Sequence, residues 1–302
     1  MQPELTPTPD ARADLGVLDG PVLVFGGPYG NLEATGALIG MARQLGIPAS
    51  RAICTGDIVA YAADPQAVAD LLRAWGCAIV MGNCEEALAA DAADCGCGFA
   101  EDSACAVLSG QWFGATRRDL DDGTKRWMGT LPRRIDFTLG GRRFAAIHGG
   151  VSRINQFIFA STTADEIAAQ IASADVGGIV AGHCGIPFSR LVGSRLWHNA
   201  GAIGMPANDG TARTWFSVLT PGDDGIGIAH HALDYDYRAA AAKTHARGYP
   251  VAYAVGLLDG LWPSCDVLPA AECGMRGTAL APDKIVWPAA GRAVQAQLDS
   301  EG

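Results

Sequence analysis

Four short segments of this sequence end an apolar run with a residue of metal-ligand type: Gly56-Asp57, Gly82-Asn83-Cys84-Glu85, Ile147-His148-Gly149 and Gly182-His183-Cys184-Gly185. Singly, each is weak. A Gly-Asp or Gly-Asn pair after a strand is ordinary turn chemistry, and a lone histidine there is usually just hydrogen-bonded. Taken in order, each at the end of a strand, they bring one carboxylate, one amide oxygen and two imidazoles within reach of a single ion. That donor set suits a hard-to-borderline divalent cation such as Mn²⁺, Fe²⁺ or Zn²⁺.

The elements that must position these residues follow from the apolar pattern. Residues 21–25 (PVLVF) form a short buried-strand run, broken by Gly26-Gly27-Pro28. Residues 31–45 carry apolar side chains at helical spacing behind an N-capping Asn31. Strand, turn and helix recur through RAICTGD, DPQAVADLLRAWG and CAIVMGN. This rhythm predicts sequential βαβ units, a largely parallel sheet and functional loops at the strand C-termini. Further on, RRIDFTL and RRFAAIHGG face each other across Gly140-Gly141 as a hairpin. A helix is expected at about 163–173, then the strand GGIVAGH. The short strands FSRLVG, SRLWHN, ARTWFSVLT and GIGIAHHAL make the chain antiparallel toward residue 232. Residues 1–19, with prolines at 3, 7 and 9, read as a flexible leader. Residues 20–232 read as the main domain, and 233–302 as a helical C-terminal extension packed on it.

Composition narrows the function classes. Of 302 residues, 49% are hydrophobic and 18% charged, which excludes a disordered chain. The net charge of −10 argues against a nucleic-acid groove or an anionic membrane surface. The apolar runs fall short of the ~18–20 residues of a membrane span. The acidic, Pro-rich start lacks the basic flank of a signal peptide, so a cytoplasmic protein is expected. Nine cysteines, an odd number, then point to packing, metal ligation or redox chemistry rather than a disulfide frame.

Over roughly residues 21–232 the sequence resembles the calcineurin-like metallophosphoesterase superfamily, nearest to its bacterial branch of diadenosine-tetraphosphatase-related and small phosphodiesterase proteins. The matching segments are GNLEA (30–34), GDIVAYAADP (56–65), GNCEE (82–86), HGG (148–150) and GHCGIPF (182–188). WHNAGAIGMP (197–206) resembles a further family segment, with Ala200 and Ala202 where that segment has Pro and Ser. The resemblance implies an α/β fold, a four-layer αββα sandwich of two face-to-face sheets flanked by helices. It also implies metal ligation by Asp57, Asn83, His148 and His183. The family's first metal is held by an Asp-x-His pair and by the last His of Gly-His-x-His. Those positions map onto Gly27, Tyr29 and Gly185. One site has therefore lost everything except the shared Asp57, while the other is complete. The pattern predicts a mononuclear or rebuilt site with one divalent transition metal (Mn, Fe or Zn) per chain.

Candidates for rebuilding the lost half are Tyr29, Cys84, where many relatives place a catalytic histidine, and Cys184. The resemblance assigns catalytic roles to Asn83, which would orient the phosphate, to Cys84 and to His148. A cap is expected at about 92–115, where Cys95, Cys97 and Cys105 are ligand, redox or packing residues. The expected substrate is a small phosphoester, of nucleotide type or with an aryl leaving group, because a thiol is a poor general acid. The competing reading is a non-hydrolytic metal- or thiol-binding protein on a retired phosphoesterase scaffold. His198 is read as a structural residue, with a place adjoining the ligands as the lesser alternative. His230-His231, His245 and Arg142-Arg143 are read as packing or solvated residues, and the loop around Trp262 as an anchor for the extension.

Overall fold

The structure, a computed structural model, describes residues 11–97 and 103–289. Its strands are β1 (Arg12–Val17), β2 (Val22–Phe25), β3 (Ala52–Cys54), β4 (Ala78–Ile79), β5 (Arg134–Leu139) and β6 (Arg142–Ile147). They continue as β7 (Gly178–Ala181), β8 (Phe188–Val192), β9 (Arg195–Asn199), β10 (Thr214–Gly222), β11 (Gly225–Leu233) and β12 (Lys284–Pro288). Two six-stranded sheets result, ordered β1-β5-β6-β7-β9-β8 and β12-β11-β10-β2-β3-β4.

The period-two pattern of the strands decides what each sheet face meets. In β2, Val22 and Val24 point between the sheets, onto a core shared with Ile135, Phe137, Phe144 and Val180. Leu23 and Phe25 point the other way, with Leu38 of the helix Leu32–Gln44 and Val68 and Leu72 of the helix Pro65–Trp75. The outer face of the other sheet packs Ile179 and Trp197 with Ile167 and Ile171 of the helix Ala164–Ala174. These are the four αββα layers. Asn31 caps its helix as expected: its Oδ1 accepts from the Ala34 amide at 3.0 Å, and its Nδ2 donates to the Gly204 carbonyl at 3.0 Å. The hairpin between β5 and β6 turns on Gly140 (φ 54°) and Gly141 (φ 73°), the backbone its tight reversal requires.

Two boundaries differ from the sequence reading. Residues 12–17, assigned to a flexible leader, form β1, which pairs in parallel with β5 from Arg12–Arg134 onward. Only Ala13 and Leu15 pack inward from this edge strand, too thin an alternation to be recognised beside three nearby prolines. Residues 1–10 of that leader lie outside the described residues. The extension does contain helices (Tyr237–Ala246, Val251–Asp259 and Ala270–Gly274). It is not wholly helical, however, because β12 pairs antiparallel with β11 and completes the second sheet. Trp287 of β12 is 1% exposed and packs edge-on against Phe144 with centroids 5.2 Å apart, inside the inter-sheet core. Of the expected cap, residues 98–102 lie outside the described residues, and the remainder includes the start of the helix Ala104–Asp119.

Candidate metal centre

Each predicted ligand follows the carboxyl end of a strand. Asp57 lies just beyond β3, Asn83 opens the helix Asn83–Ala89 after β4, His148 follows β6 and His183 follows β7. β3 and β4 belong to one sheet and β6 and β7 to the other, so the residues meet where strand ends of the two sheets converge. Asp57 (φ 56°) and His183 (φ 62°) both adopt the left-handed conformation, uncommon for residues other than glycine.

The four side chains come together. His148 Nε2 is 3.3 Å from Asp57 Oδ2, 3.0 Å from Asn83 Oδ1 and 3.1 Å from His183 Nδ1. Asp57, His148 and His183 can each present a donor atom with all three atoms within 4.8 Å of one another. His148 Nδ1 lies 2.6 Å from the Thr55 carbonyl, which accepts its proton and leaves Nε2 with a free lone pair in the neutral ring. Asn83 Nδ2 donates to the Cys95 carbonyl at 2.8 Å and lies 3.3 Å from Cys97 Sγ, which turns Oδ1 toward His148. The His183 ring packs on Phe157 with centroids 4.1 Å apart, and its Nε2 is buried without a hydrogen-bond partner.

Charge and burial act together here. Burial opposes a charge on Asp57, yet His148 and His183 pull its carboxyl down to about 2. Burial likewise works against a charge on His148, but the Asp57 carboxylate outweighs it and raises the histidine above its ordinary value. His183 is pushed down to about 3, by burial and then by His148, and so stays in the neutral form that ligates. A lone pair on His148 Nε2 facing Asn83 Oδ1 at 3.0 Å is repulsive unless a positive charge lies between them. A proton or a divalent ion supplies that charge, and the carboxylate, amide and imidazole donors fit the ion.

Glu85, given no role in the sequence reading, underpins the site. Its buried carboxylate accepts from the amides of Asp57 (2.8 Å), Ile58 (2.8 Å) and Gly82 (2.9 Å), joining the two ligand loops. Burial, and then the Asp57 charge, raises its carboxyl to about 7. The signal available was its spacing: an acidic residue three positions after a glycine N-cap, reaching back to that cap's amide.

The candidate rebuilding residues lie differently. Cys84 is buried against Asp57, its amide donating to Oδ1 at 3.3 Å, and burial pushes its thiol well up. Cys184 Sγ donates to the Ile186 carbonyl at 3.5 Å and accepts from Asn199 Nδ2 at 3.2 Å, which commits it outside the donor cluster. Burial raises the Tyr29 phenol well above its usual value, so it is no ready phenolate. Cys95 and Cys97 are bonded to each other rather than free. His198 is held between Ser189 Oγ (2.9 Å) and Ser217 Oγ (2.6 Å) and does not reach the ligands. Asn199, beside it on β9, does support them, donating to the Gly182 carbonyl at 2.6 Å just before His183.

Aromatic side chains fill the space around Gly27 and Gly185, two of the positions where the family resemblance implies ligands of a first metal. A β-carbon on Gly185 would lie 3.2 Å from Cζ2 of Trp262, whose Nε1 is anchored on the Pro206 carbonyl at 2.7 Å. Tyr29 packs on Tyr61 with centroids 4.7 Å apart, and Tyr61 stacks on Tyr253 at 4.7 Å. Together with Trp262 and Phe157 these rings line a cavity that also touches Asp57 and His183. Trp262 and Tyr253 come from the C-terminal segment, and nothing in their local sequence points to the site.

Comparison with known proteins gives a consistent picture. The family profile described as calcineurin-like phosphoesterase superfamily domain matches residues 33–223. An uncharacterized protein of Methanocaldococcus jannaschii is 25% identical over 241 residues, covering 74% of this chain and 90% of its own. A metallophosphoesterase from Sphaerobacter thermophilus superposes with a TM-score of 0.63 at 20% identity, over 80% of this chain and 99% of its own. A hypothetical protein from Pyrococcus horikoshii superposes with a TM-score of 0.66 at 13% identity, over 82% of this chain and 99% of its own. These solved structures share the four-layer fold.

Proposed function

Because the chain belongs to the calcineurin-like phosphoesterase superfamily, we propose that it hydrolyses a small phosphoester at a single divalent-metal site formed by Asp57, Asn83, His148 and His183. The observation that carries this reading is the convergence of those donors on one point beside a cavity. A divalent ion held there supplies Lewis-acid polarisation of a phosphoryl oxygen and acidifies the attacking water.

The chain's own residues prepare that chemistry. Thr55 holds His148 in the tautomer that ligates, and Glu85 locks the Asp57 loop to the Gly82 loop. Asn83 acts as an oxygen ligand, because its amide nitrogen faces the Cys95 carbonyl and Cys97 Sγ and so turns Oδ1 toward His148. With Cys184 turned away and Cys84 buried against Asp57, the set is one of oxygen and nitrogen donors, open to Mn²⁺, Fe²⁺ or Zn²⁺. Cys84 stands where many relatives have a catalytic histidine but is not part of the cavity wall. The reading therefore assigns it no proton transfer and favours a leaving group that departs as a stable anion.

Element analysis and turnover of protein purified without added metal test this. About one transition-metal ion per chain is expected, with hydrolysis of bis(4-nitrophenyl) phosphate that Asp57→Asn abolishes. One tightly held ion with no turnover of any phosphoester would replace this reading with a metal-binding protein on a retired scaffold. A chain holding no ion would overturn both.

A further inference from the structure

We propose that the aromatic cavity beside the metal donors is a binding site for the apolar, aryl ester group of a singly charged phosphodiester, and that it disfavours nucleoside polyphosphates. This deepens the proposed hydrolysis and rests on it for the placement of the phosphoryl group.

The cavity is continuous with the donors, since Asp57 and His183 belong to its wall. Most of the rest is apolar: the rings of Tyr29, Tyr61, Tyr253 and Trp262, with Leu108 and Met205. The glycines at the lost ligand positions allow this, because with no side chain at Gly27 or Gly185 the rings of Tyr29 and Trp262 descend into that space. An ion site has in effect been exchanged for an aromatic one. A flat aryl group gains from burial there and from offset packing on the rings.

Charge selects against the alternative. Among the described lining residues there is no lysine or arginine, and Asp57 is an anion. Phosphate chains are ordinarily recognised by such cations or by exposed backbone amides. A nucleoside triphosphate would bring several negative charges into an apolar wall next to a carboxylate, in a chain of net charge −10. A diester brings one negative charge, which a single divalent ion more than balances.

The test compares affinities of the metal-loaded chain for diphenyl phosphate, dimethyl phosphate and ATP, read by titration calorimetry and tryptophan fluorescence. Diphenyl phosphate should bind at least about tenfold more tightly than either, a difference of ~1.4 kcal/mol. Trp262→Ala should remove most of that preference with the metal content unchanged. Leu108→Arg, folded by circular dichroism, should shift the preference toward ATP. Equal affinity for the phenyl and methyl diesters, or tighter binding of ATP by the unmodified chain, would overturn the proposal, and that comparison needs no variant to fold. Parallel turnover assays separate the two readings: a phenyl preference without hydrolysis of any ester leaves the binding site standing and removes the enzymatic function. Hydrolysis of methyl and aryl diesters with equal affinity does the reverse.

Discussion

A β-carbon added to Gly27 would lie 2.3 Å from Cζ of Tyr29. Tyr29, at one position where the family resemblance implies a first-metal ligand, thus fills the space from which a side chain at another such position, Gly27, would project. At Gly185 the obstacle is Trp262, 3.2 Å from the corresponding β-carbon. Backbone conformation is a lesser barrier. Gly27 (φ 43°) and Gly185 (φ 69°) are left-handed, but so are Asp57 and His183, which carry the same side chains a repair would install.

A second ion site built at these positions is therefore expected to need removal of Trp262 as well as the ligand side chains. The triple variant Gly27→Asp, Tyr29→His, Gly185→His should still bind about one metal ion per chain, and adding Trp262→Ala should raise this to about two. Element analysis of folded protein measures both. Two ions in the triple variant with Trp262 intact would show that the indole gives way, and one ion in the quadruple variant would place the obstacle elsewhere.

The second prediction concerns Glu85. Its carboxylate takes amides from both ligand loops, and glutamine would present an NH₂ group to some of those donors. At a pH of about 8, above the raised value of about 7 where the carboxylate is formed, Glu85→Gln should destabilise the metal-free protein by roughly 1–3 kcal/mol. Metal affinity should fall in parallel, because Asp57 and Asn83 lose their common tether. Urea unfolding and a competitive chelator titration read the two effects. Unchanged stability would mean that water or the backbone satisfies those amides without Glu85.

Much of this arrangement is legible in the sequence because it is local. Asp57, Asn83, His148 and His183 each end an apolar run, and a strand followed by a glycine turn must deliver the next side chain at the sheet's carboxyl edge. The Asn31 cap and the Gly140-Gly141 hairpin are equally short-range. What escaped depends on distant partners. β1 is marked only by Ala13 and Leu15, and β12 only by its pairing with a strand more than fifty residues earlier. Trp262 acquires its place beside Gly185 because Pro206 and Asn208 hold it, at separations no periodicity encodes.

The cysteine loop offers a third check. Cys95 and Cys97 are bonded, and Asn83 is tied to this loop through the Cys95 carbonyl. Neither cysteine should take up iodoacetamide, whether the protein is metal-loaded or chelated, until a reductant is added. Mass spectrometry of the alkylated protein reads this directly. Labelling on chelation alone would identify them as free thiol ligands instead.

The last prediction separates a buried histidine from the metal site. His198 sits between Ser189 and Ser217, 5.0 Å ring to ring from His230. Burial, and then His230, lowers its pKa well below 6.5, so in the native protein it is neutral across the ordinary range. In the unfolded chain it titrates near ~6.5. Below that pH the unfolded state binds a proton that the native state refuses, so stability must fall as pH falls, at a rate approaching ~1.4 kcal/mol per pH unit. Above ~6.5 both states are neutral and this dependence vanishes. His198→Gln can keep one serine hydrogen bond but cannot titrate. The variant should be less stable at neutral pH, yet lose less stability on acidification. Urea unfolding of metal-free protein at a series of values from about pH 7.5 to 5 gives the comparison. The difference in slope between the two proteins removes the contributions of His148 and His183, which both share. Parallel slopes would show that His198 takes up its proton in the folded state after all.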